Sequence, residues 1–158
     1  PTWPAPAPGS AANDSAERGA GRGLLGTVAA VDIVSALFID DVAMRQAPGP
    51  STRIDLTGVQ FSAAAPQPVP LTWAPHLCVI VRCAPDEAGT GALEVVYRRA
   101  GEQIARNVSV LQVEPGKFSQ QLVRGEIDFE DYGTVEAHCR IDLGHVTVVP
   151  YTLLPPVG

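Results

Sequence analysis

The sequence predicts an all-β protein, a β-sandwich or barrel of roughly seven or eight short strands that follows a flexible N-terminal arm. Short apolar segments recur at intervals of roughly 8–15 residues, with turn residues between them. No segment after residue 31 keeps the 3.6-residue apolar period of an amphipathic helix. Hydrophobic residues make up 46% of the 158 residues, which is enough for one domain with its own core.

Residues 1–26 differ in composition from the rest of the chain. They are rich in Pro, Ala, Gly and Ser and show no apolar period. We predict an arm over residues 1–26, either disordered or ordered on a partner, and a β-sandwich domain over residues 27–158. The clearest anchor is the arm's tryptophan, because tryptophan is a frequent interface hot spot. The predicted partner-binding residues are Trp3, Pro4, Pro6, Leu24 and Leu25.

The domain begins with two predicted strands, at residues 31–40 and 53–61. The first is apolar on both side-chain parities, which is typical of a strand buried on two sides. The second alternates apolar and polar residues, as a half-buried strand does. Short helices remain an alternative for residues 15–22 and for residues 40–45.

Residues 70–83 contain the densest apolar run and are predicted to form the central strand. The alternation of side chains along a strand separates them into two sets on opposite faces. These sets are Leu77, Val79, Val81 and Cys83 on one face and His76, Cys78, Ile80 and Arg82 on the other.

The second half of the chain predicts two hairpins and one weaker strand. The first hairpin joins residues 93–99 to residues 103–113 across a glycine-containing turn. The second joins residues 135–141 to residues 145–153 in the same way. The weaker strand covers residues 118–129 and lies between the two hairpins.

Composition excludes several classes of partner. The net charge of −6 and the pI near 4.9 argue against nucleic acid, whose phosphates require clustered Lys and Arg. No apolar run reaches the roughly 18 residues of a membrane helix. Three cysteines, an odd number, argue against a disulfide framework. We expect a cytoplasmic protein; membership of a phage particle and export are the alternatives.

Cysteine and histidine residues are the candidates for a metal site. His76 and Cys78 share one face, but the ligand spacings of known zinc motifs do not occur. Free cysteine packs like a small apolar residue, so core packing is the expected role. A disulfide between Cys139 and either Cys78 or Cys83 is the alternative for an exported chain.

Carboxylates are the candidates for a calcium site, and nucleophilic side chains are the candidates for catalysis. Glu126, Asp128 and Glu130 alternate onto one face, which favours a solvated acidic edge over a calcium loop that encloses its ion. No nucleophile elbow and no phosphate-binding glycine motif is present. We therefore predict no catalytic residue, no metal ligand and no cofactor.

The segment over residues 36–61, ALFIDDVAMRQAPGPSTRIDLTGVQF, carries a resemblance to a known family. Its acidic strand end and the Gly58-Val59 pair, the apolar strand at residues 77–81 and the acidic corner at residues 131–133 resemble an uncharacterised bacterial family of small sandwich proteins. The resemblance covers about residues 33–154. It implies an immunoglobulin-like sandwich and no known activity, so no site residue is carried over.

The predicted function is that of a non-catalytic protein-binding or assembly module, a bacterial or phage structural or accessory protein. Its arm would dock on a protein partner or on a neighbouring subunit. The alternative is a sandwich that binds a small ligand, either a carbohydrate or calcium. A carbohydrate site needs an exposed aromatic platform, whereas most of the folded aromatic residues are expected in the core. These residues are Trp73, Tyr97, Tyr132 and Tyr151.

Overall fold

The computed structural model describes residues 30–49 and 51–158, and these residues form twelve β-strands and no helix. In chain order the strands are β1 (Val31–Ile39), β2 (Asp41–Ala47), β3 (Ser51–Thr57), β4 (Ser62–Ala64), β5 (Leu71–Trp73), β6 (His76–Cys83), β7 (Thr90–Arg99), β8 (Glu102–Gln112), β9 (Phe118–Arg124), β10 (Ile127–Phe129), β11 (Gly133–Ile141) and β12 (Thr147–Leu154). The predicted all-β class is confirmed. The predicted arm over residues 1–26 lies outside the described residues. Nowhere in the described part of the chain does a helix occur that could cross a membrane.

Two main sheets and two small strand pairs organise these elements. The front sheet has the strand order β1-β6-β9, and the back sheet has the order β4-β12-β11-β7-β8. β2 pairs with β3, and β5 pairs with β10. Every ladder is antiparallel except the one between β12 and β4. This topology leaves β1 and β9 at the edges of the front sheet and β8 at one edge of the back sheet.

One hydrophobic core joins the inner faces of the front and back sheets. The rings of Phe38 on β1 and Tyr151 on β12 meet across the two sheets, with centroids 4.9 Å apart and planes tilted by 58°. Trp73 Nε1 donates a hydrogen bond of 2.9 Å to the Tyr151 hydroxyl oxygen. The buried phenol therefore keeps a partner for its polar atom, as buried tyrosines usually do.

The alternation predicted for β6 is confirmed by the composition of the core, and β11 alternates in the same way. Residues of one parity in each strand belong to the core cluster, and their neighbours do not. The core residues are Leu77, Val79, Val81 and Cys83 on β6 and Val135, Ala137, Cys139 and Ile141 on β11.

A bulge in β1 accounts for the apolar character of both of its parities. The pairing of β1 with β6 shifts between Ile33 and Ser35, which leaves Val34 without a partner. Because one extra residue reverses the alternation, Ile33 before the bulge and Phe38 after it both pack on the core. The prediction of a regular strand at residues 31–40 is therefore wrong at Val34, where the strand has a bulge.

The helix considered for residues 40–45 is wrong. Asp41–Ala47 forms strand β2, which pairs along its whole length with β3. Met44 lies opposite Ile54, and such cross-strand pairs stabilise a hairpin more than a weak local helical preference does. The strand predicted at residues 53–61 is correspondingly shorter, because β3 ends at Thr57.

Two predicted strands are each divided in two, so the strand number exceeds the prediction. Residues 70–83 are interrupted at Pro75, which has no N–H group to donate to a ladder. Residues 118–129 are interrupted at Gly125. This glycine lies so close to the Tyr97 ring that a Cβ atom would overlap it.

The acidic end of β1 is held by a polar corner. Gln60 Nε2 donates a hydrogen bond of 2.8 Å to Asp40 Oδ1. Gly58 has φ of +67°, and a Cβ atom there would overlap the Asp40 carboxyl group. This position therefore requires glycine both for its backbone conformation and for space.

A second corner follows β10 at residues 131–133. Arg99 on β7 donates to the carbonyl oxygens of Asp131 and Tyr132 at 2.8 and 2.7 Å. The Tyr132 hydroxyl accepts a hydrogen bond of 3.2 Å from the Val69 backbone N–H. These contacts fix the turn that leads from β10 into β11.

Candidate interaction surface

The outer face of the front sheet is apolar at its centre, although it points away from the core. Leu37, Cys78 and Leu122 lie directly opposite one another on β1, β6 and β9. Ile80 and Phe118 lie on the same side of β6 and β9, because side chains two or four residues apart share a face. We call these five side chains the Cys78 face.

Cys78 is the enclosed centre of this face. It is 1% exposed but does not belong to the core cluster. Residues directly opposite on neighbouring strands have Cβ atoms about 4.5–5.5 Å apart, so Leu37 and Leu122 flank the thiol on both sides. Burial raises the pKa of the Cys78 thiol, which disfavours the reactive thiolate.

The side chains around Cys78 are partly open to water. Leu122 is 42% exposed and Phe118 is 55% exposed. Charged groups border them: Arg82 lies opposite Phe118, with its guanidinium carbon 5.8 Å from the ring centroid. At the other end of the face, His76 lies opposite Arg124. An apolar centre inside a polar rim is the arrangement found in protein interfaces.

The outer face of the back sheet is built around a carboxylate instead. Arg106 donates two hydrogen bonds, of 2.9 and 2.7 Å, to Glu94 Oε2, and Arg140 donates one of 3.4 Å to Oε1. The hydrogen bond from Arg106 is the main reason that the pKa of Glu94 lies below its usual value. Nearby, His138 Nε2 lies 3.5 Å from Glu136 Oε1 without a hydrogen bond. This face pairs most of its charges within itself.

The edge of the back sheet is the second exposed apolar region. β8 hydrogen-bonds to β7 and ends the sheet. Val108 and Val110 lie on its outer side, and Val110 is 83% exposed. Ser109 lies between them in sequence, and its hydroxyl is buried without a hydrogen-bond partner in the described part of the chain. We call residues 105–112 of β8 the valine edge.

The three cysteines do not form a common site. Cys83 and Cys139 belong to the core cluster, whereas Cys78 points out of the opposite side of the front sheet. The Cys78–Cys139 disulfide considered from sequence is therefore wrong, because the sheet separates the two thiols. All three are free thiols. Burial raises the pKa of Cys139 to about 12, as expected for a thiol that serves core packing.

The histidines lie in three different places. His76 Nδ1 is 3.4 Å from the Asp40 carbonyl oxygen. His138 is half-buried on the outer face of the back sheet. His145 lines a pocket of 360 Å³ beside Val31 at the start of β1. Within residues 30–49 and 51–158, no group of three or more His, Cys, Asp or Glu residues is placed to hold a metal ion.

The acidic series around β10 forms an exposed line, as the alternation predicts. Glu126, Asp128 and Glu130 are all exposed, and Asp128 accepts a hydrogen bond of 2.7 Å from the Thr72 hydroxyl. The aromatic residues weighed for a carbohydrate platform point elsewhere. Tyr97 and Tyr151 are buried, and Trp73 and Tyr132 are half-buried against the core.

The partner-binding residues predicted in the arm lie outside the described residues. These residues are Trp3, Pro4, Pro6, Leu24 and Leu25. Comparisons with models of known protein families and with curated proteins find no match to this chain. The resemblance to a bacterial sandwich family therefore stays a prediction.

Sequence reasoning missed the Cys78 face. Residues 70–83 are predicted to form the central strand, with His76, Cys78, Ile80 and Arg82 on one face, but that prediction does not say whether the face is covered. A signal was available in residues 118–124, where Phe118 and Leu122 share one parity and Val123 takes the other. Two neighbouring strands that are apolar on both parities indicate an apolar outer face as well as a core.

Proposed function

We propose that this chain is a non-catalytic protein-binding or assembly module, an immunoglobulin-like β-sandwich that contacts its partner through the Cys78 face and the N-terminal arm. The apolar centre and charged rim of the Cys78 face carry this proposal. Burial of exposed apolar area contributes about 25 cal/mol per Å² to association, so Leu122 and Phe118 gain free energy when a partner covers them.

The arrangement of the sheets supports the sandwich architecture within this proposal. The front and back sheets share one core, their ladders are antiparallel, and a tilted aromatic pair joins their inner faces. These are features of two sheets packed face to face. In such a fold the outer faces, the edges and the loops are the surfaces left for binding.

The place where the chain enters the front sheet supports a role for the arm. β1 is an edge strand of that sheet and begins at Val31. Residues 1–26 precede this edge strand in the chain, and we propose that Trp3 and Leu24 contact the same partner or neighbouring subunit as the Cys78 face does. Linking two contacts in one chain raises the effective concentration of the second after the first has formed.

To test the proposal, the full chain is used to capture a partner from a bacterial extract. The captured protein is then purified and titrated against variants of the chain. The variants are the full chain, the chain without residues 1–26, Leu122→Lys, and the matched control Val148→Lys on the back sheet. We expect Leu122→Lys and the truncation each to weaken binding by roughly tenfold or more, and Val148→Lys to change it by less than about twofold.

Stability measurements accompany the titration. We expect the truncated chain and Leu122→Lys to melt within about 4 °C of the full chain, because the arm is predicted to lie outside the sandwich domain and Leu122 lies on the outer face of the front sheet. Equal affinity of Leu122→Lys and the full chain would contradict the proposal. A large loss of melting temperature in the truncated monomer would show that residues 1–26 serve the fold rather than binding.

A further inference from the structure

The valine edge is a strand edge that no other strand of residues 30–49 and 51–158 covers. Its regular part begins after a bulge, because the register with β7 shifts between Tyr97 and Arg98 and leaves Ile104 unpaired. From residue 105 to residue 112 the pairing with β7 is continuous. Along the edge that faces away from β7, this segment presents backbone N–H and C=O groups that pair with no described strand.

The usual protection of an edge strand is missing from this segment. Edge strands are normally blocked by lysine, proline, an inward-pointing charge or a bulge. The bulge at Ile104 protects one end of β8, but residues 105–112 contain neither lysine nor proline. Their single charged residue, Arg106, is bound to Glu94 on the neighbouring strand. In place of a charge, the outer side presents the exposed pair Val108 and Val110.

We propose that two copies of this chain associate through the valine edge, which pairs with itself in antiparallel register around a twofold axis at Ser109. The inference rests on the proposed function and deepens it, because it identifies a second copy as one partner of the module. Antiparallel pairing centred on residue 109 places Val108 of one copy opposite Val110 of the other, twice in the dimer. Four valines then cover one another on a continuous outer face.

Ser109 favours this register over its neighbours. Its hydroxyl has no hydrogen-bond partner among the residues that the structure describes. At the twofold axis it faces the same hydroxyl of the other copy, and a rotation about χ1 allows the two to form a hydrogen bond. Arg106 falls opposite Gln112, so no like charges meet. A register centred on Asn107 would instead place Arg106 opposite Val108 and leave the two serines apart.

The experiment uses charge reversal at the valine pair in the full chain. The double variant Val108→Lys with Val110→Lys places lysines opposite each other at both contacts. The double variant Val108→Lys with Val110→Glu places a lysine opposite a glutamate at both contacts. The matched control is Val148→Lys, because Val148 is exposed on the same outer face of the back sheet but lies on β12, away from the valine edge. Sedimentation velocity over a concentration series measures the dimerisation constant of each protein.

We expect the wild-type chain to dimerise reversibly and the lysine pair to weaken dimerisation by roughly tenfold or more. The lysine–glutamate variant restores it to within about threefold of wild type, and the control stays within about twofold. Thermal melting of each variant at low concentration checks that the monomer still folds.

Three results would overturn the inference: a wild-type chain that stays monomeric up to about 1 mM, a control that dissociates as much as the lysine pair, or a lysine–glutamate variant that fails to recover. The outcomes separate from those of the proposed function. If Leu122→Lys loses the captured partner but dimerises as the wild-type chain does, the Cys78 face and the valine edge bind independently of each other.

Discussion

The outer faces of the two main sheets differ in what lies at their centres: ion pairs on the back sheet and apolar side chains on the front sheet. Both β6 in the front sheet and β7 in the back sheet have a strand on each side. On the back sheet, Glu94 on β7 is held by Arg106 and Arg140, so the face pairs its polar groups within the chain. On the front sheet, Cys78 on β6 lies between Leu37 and Leu122. The centre of the front face gains free energy when it is covered, whereas the exposed ion pairs at the centre of the back face contribute little, because buried apolar area contributes more than exposed ion pairs do.

The largest expected effect comes from placing a charge at the centre of the front face. Cys78→Asp buries an unpaired carboxylate between leucines and lowers the free energy of unfolding by about 3 kcal/mol or more. Val148→Asp, at an exposed position on the back face, lowers it by less than about 1 kcal/mol. Urea denaturation at pH 7 measures both. Similar losses for the two variants would mean that the outer faces do not differ in enclosure.

An intermediate effect is expected on the reactivity of the enclosed thiol. Leu122→Ala removes one flank of Cys78 and speeds its modification by an alkylating reagent by roughly tenfold, because exposure favours the thiolate that burial suppresses. Cys139 in the core keeps its wild-type rate. Mass spectrometry of the labelled peptides measures the two rates in one sample. An unchanged rate at Cys78 would show that Leu122 does not cover it.

The smallest expected effect concerns the charge pairing on the back face. The folded-state pKa of Glu94 lies below the unfolded value near 4.5, mainly because of the hydrogen bond from Arg106. The stabilisation is therefore complete above pH 4.5 and is lost as the pH falls through the lower folded-state pKa. Glu94→Gln should melt slightly below wild type at pH 7, and the difference should shrink as the pH falls below 4.5. A difference that does not shrink as the pH falls would exclude this titration as its source.

The sequence predicted those features that depend on local patterns. The alternation over residues 76–83 predicted the two sets of β6 side chains that the structure places on opposite faces, because a regular strand fixes parity. The sequence also predicted the turn of the first hairpin. In the structure Ala100 and Gly101 both have positive φ in this turn, at 51° and 80°. Two successive residues of this kind match the tight turns that suit the twist of a hairpin.

The features that the sequence did not predict depend on partners distant in the chain. The bulge at Val34 exists only relative to β6, and β2 is a strand because β3 lies beside it. The Cys78 face requires knowledge that β1, β6 and β9 are neighbours, whereas residues 37, 78 and 122 are far apart in sequence. A parity pattern states that a face is apolar, but not whether a second layer covers it.

The bulge in β1 also determines where this strand can lose a residue without changing which side chains face the core. Val34 is unpaired and 54% exposed, so its deletion would leave Ile33 and Ser35 in their present pairs and on their present faces. A deletion at Ala36 instead would carry Phe38 out of the core, because every following side chain changes sides. Position 34 is therefore where relatives of this protein can gain or lose a residue in β1 while their hydrophobic core keeps the same members.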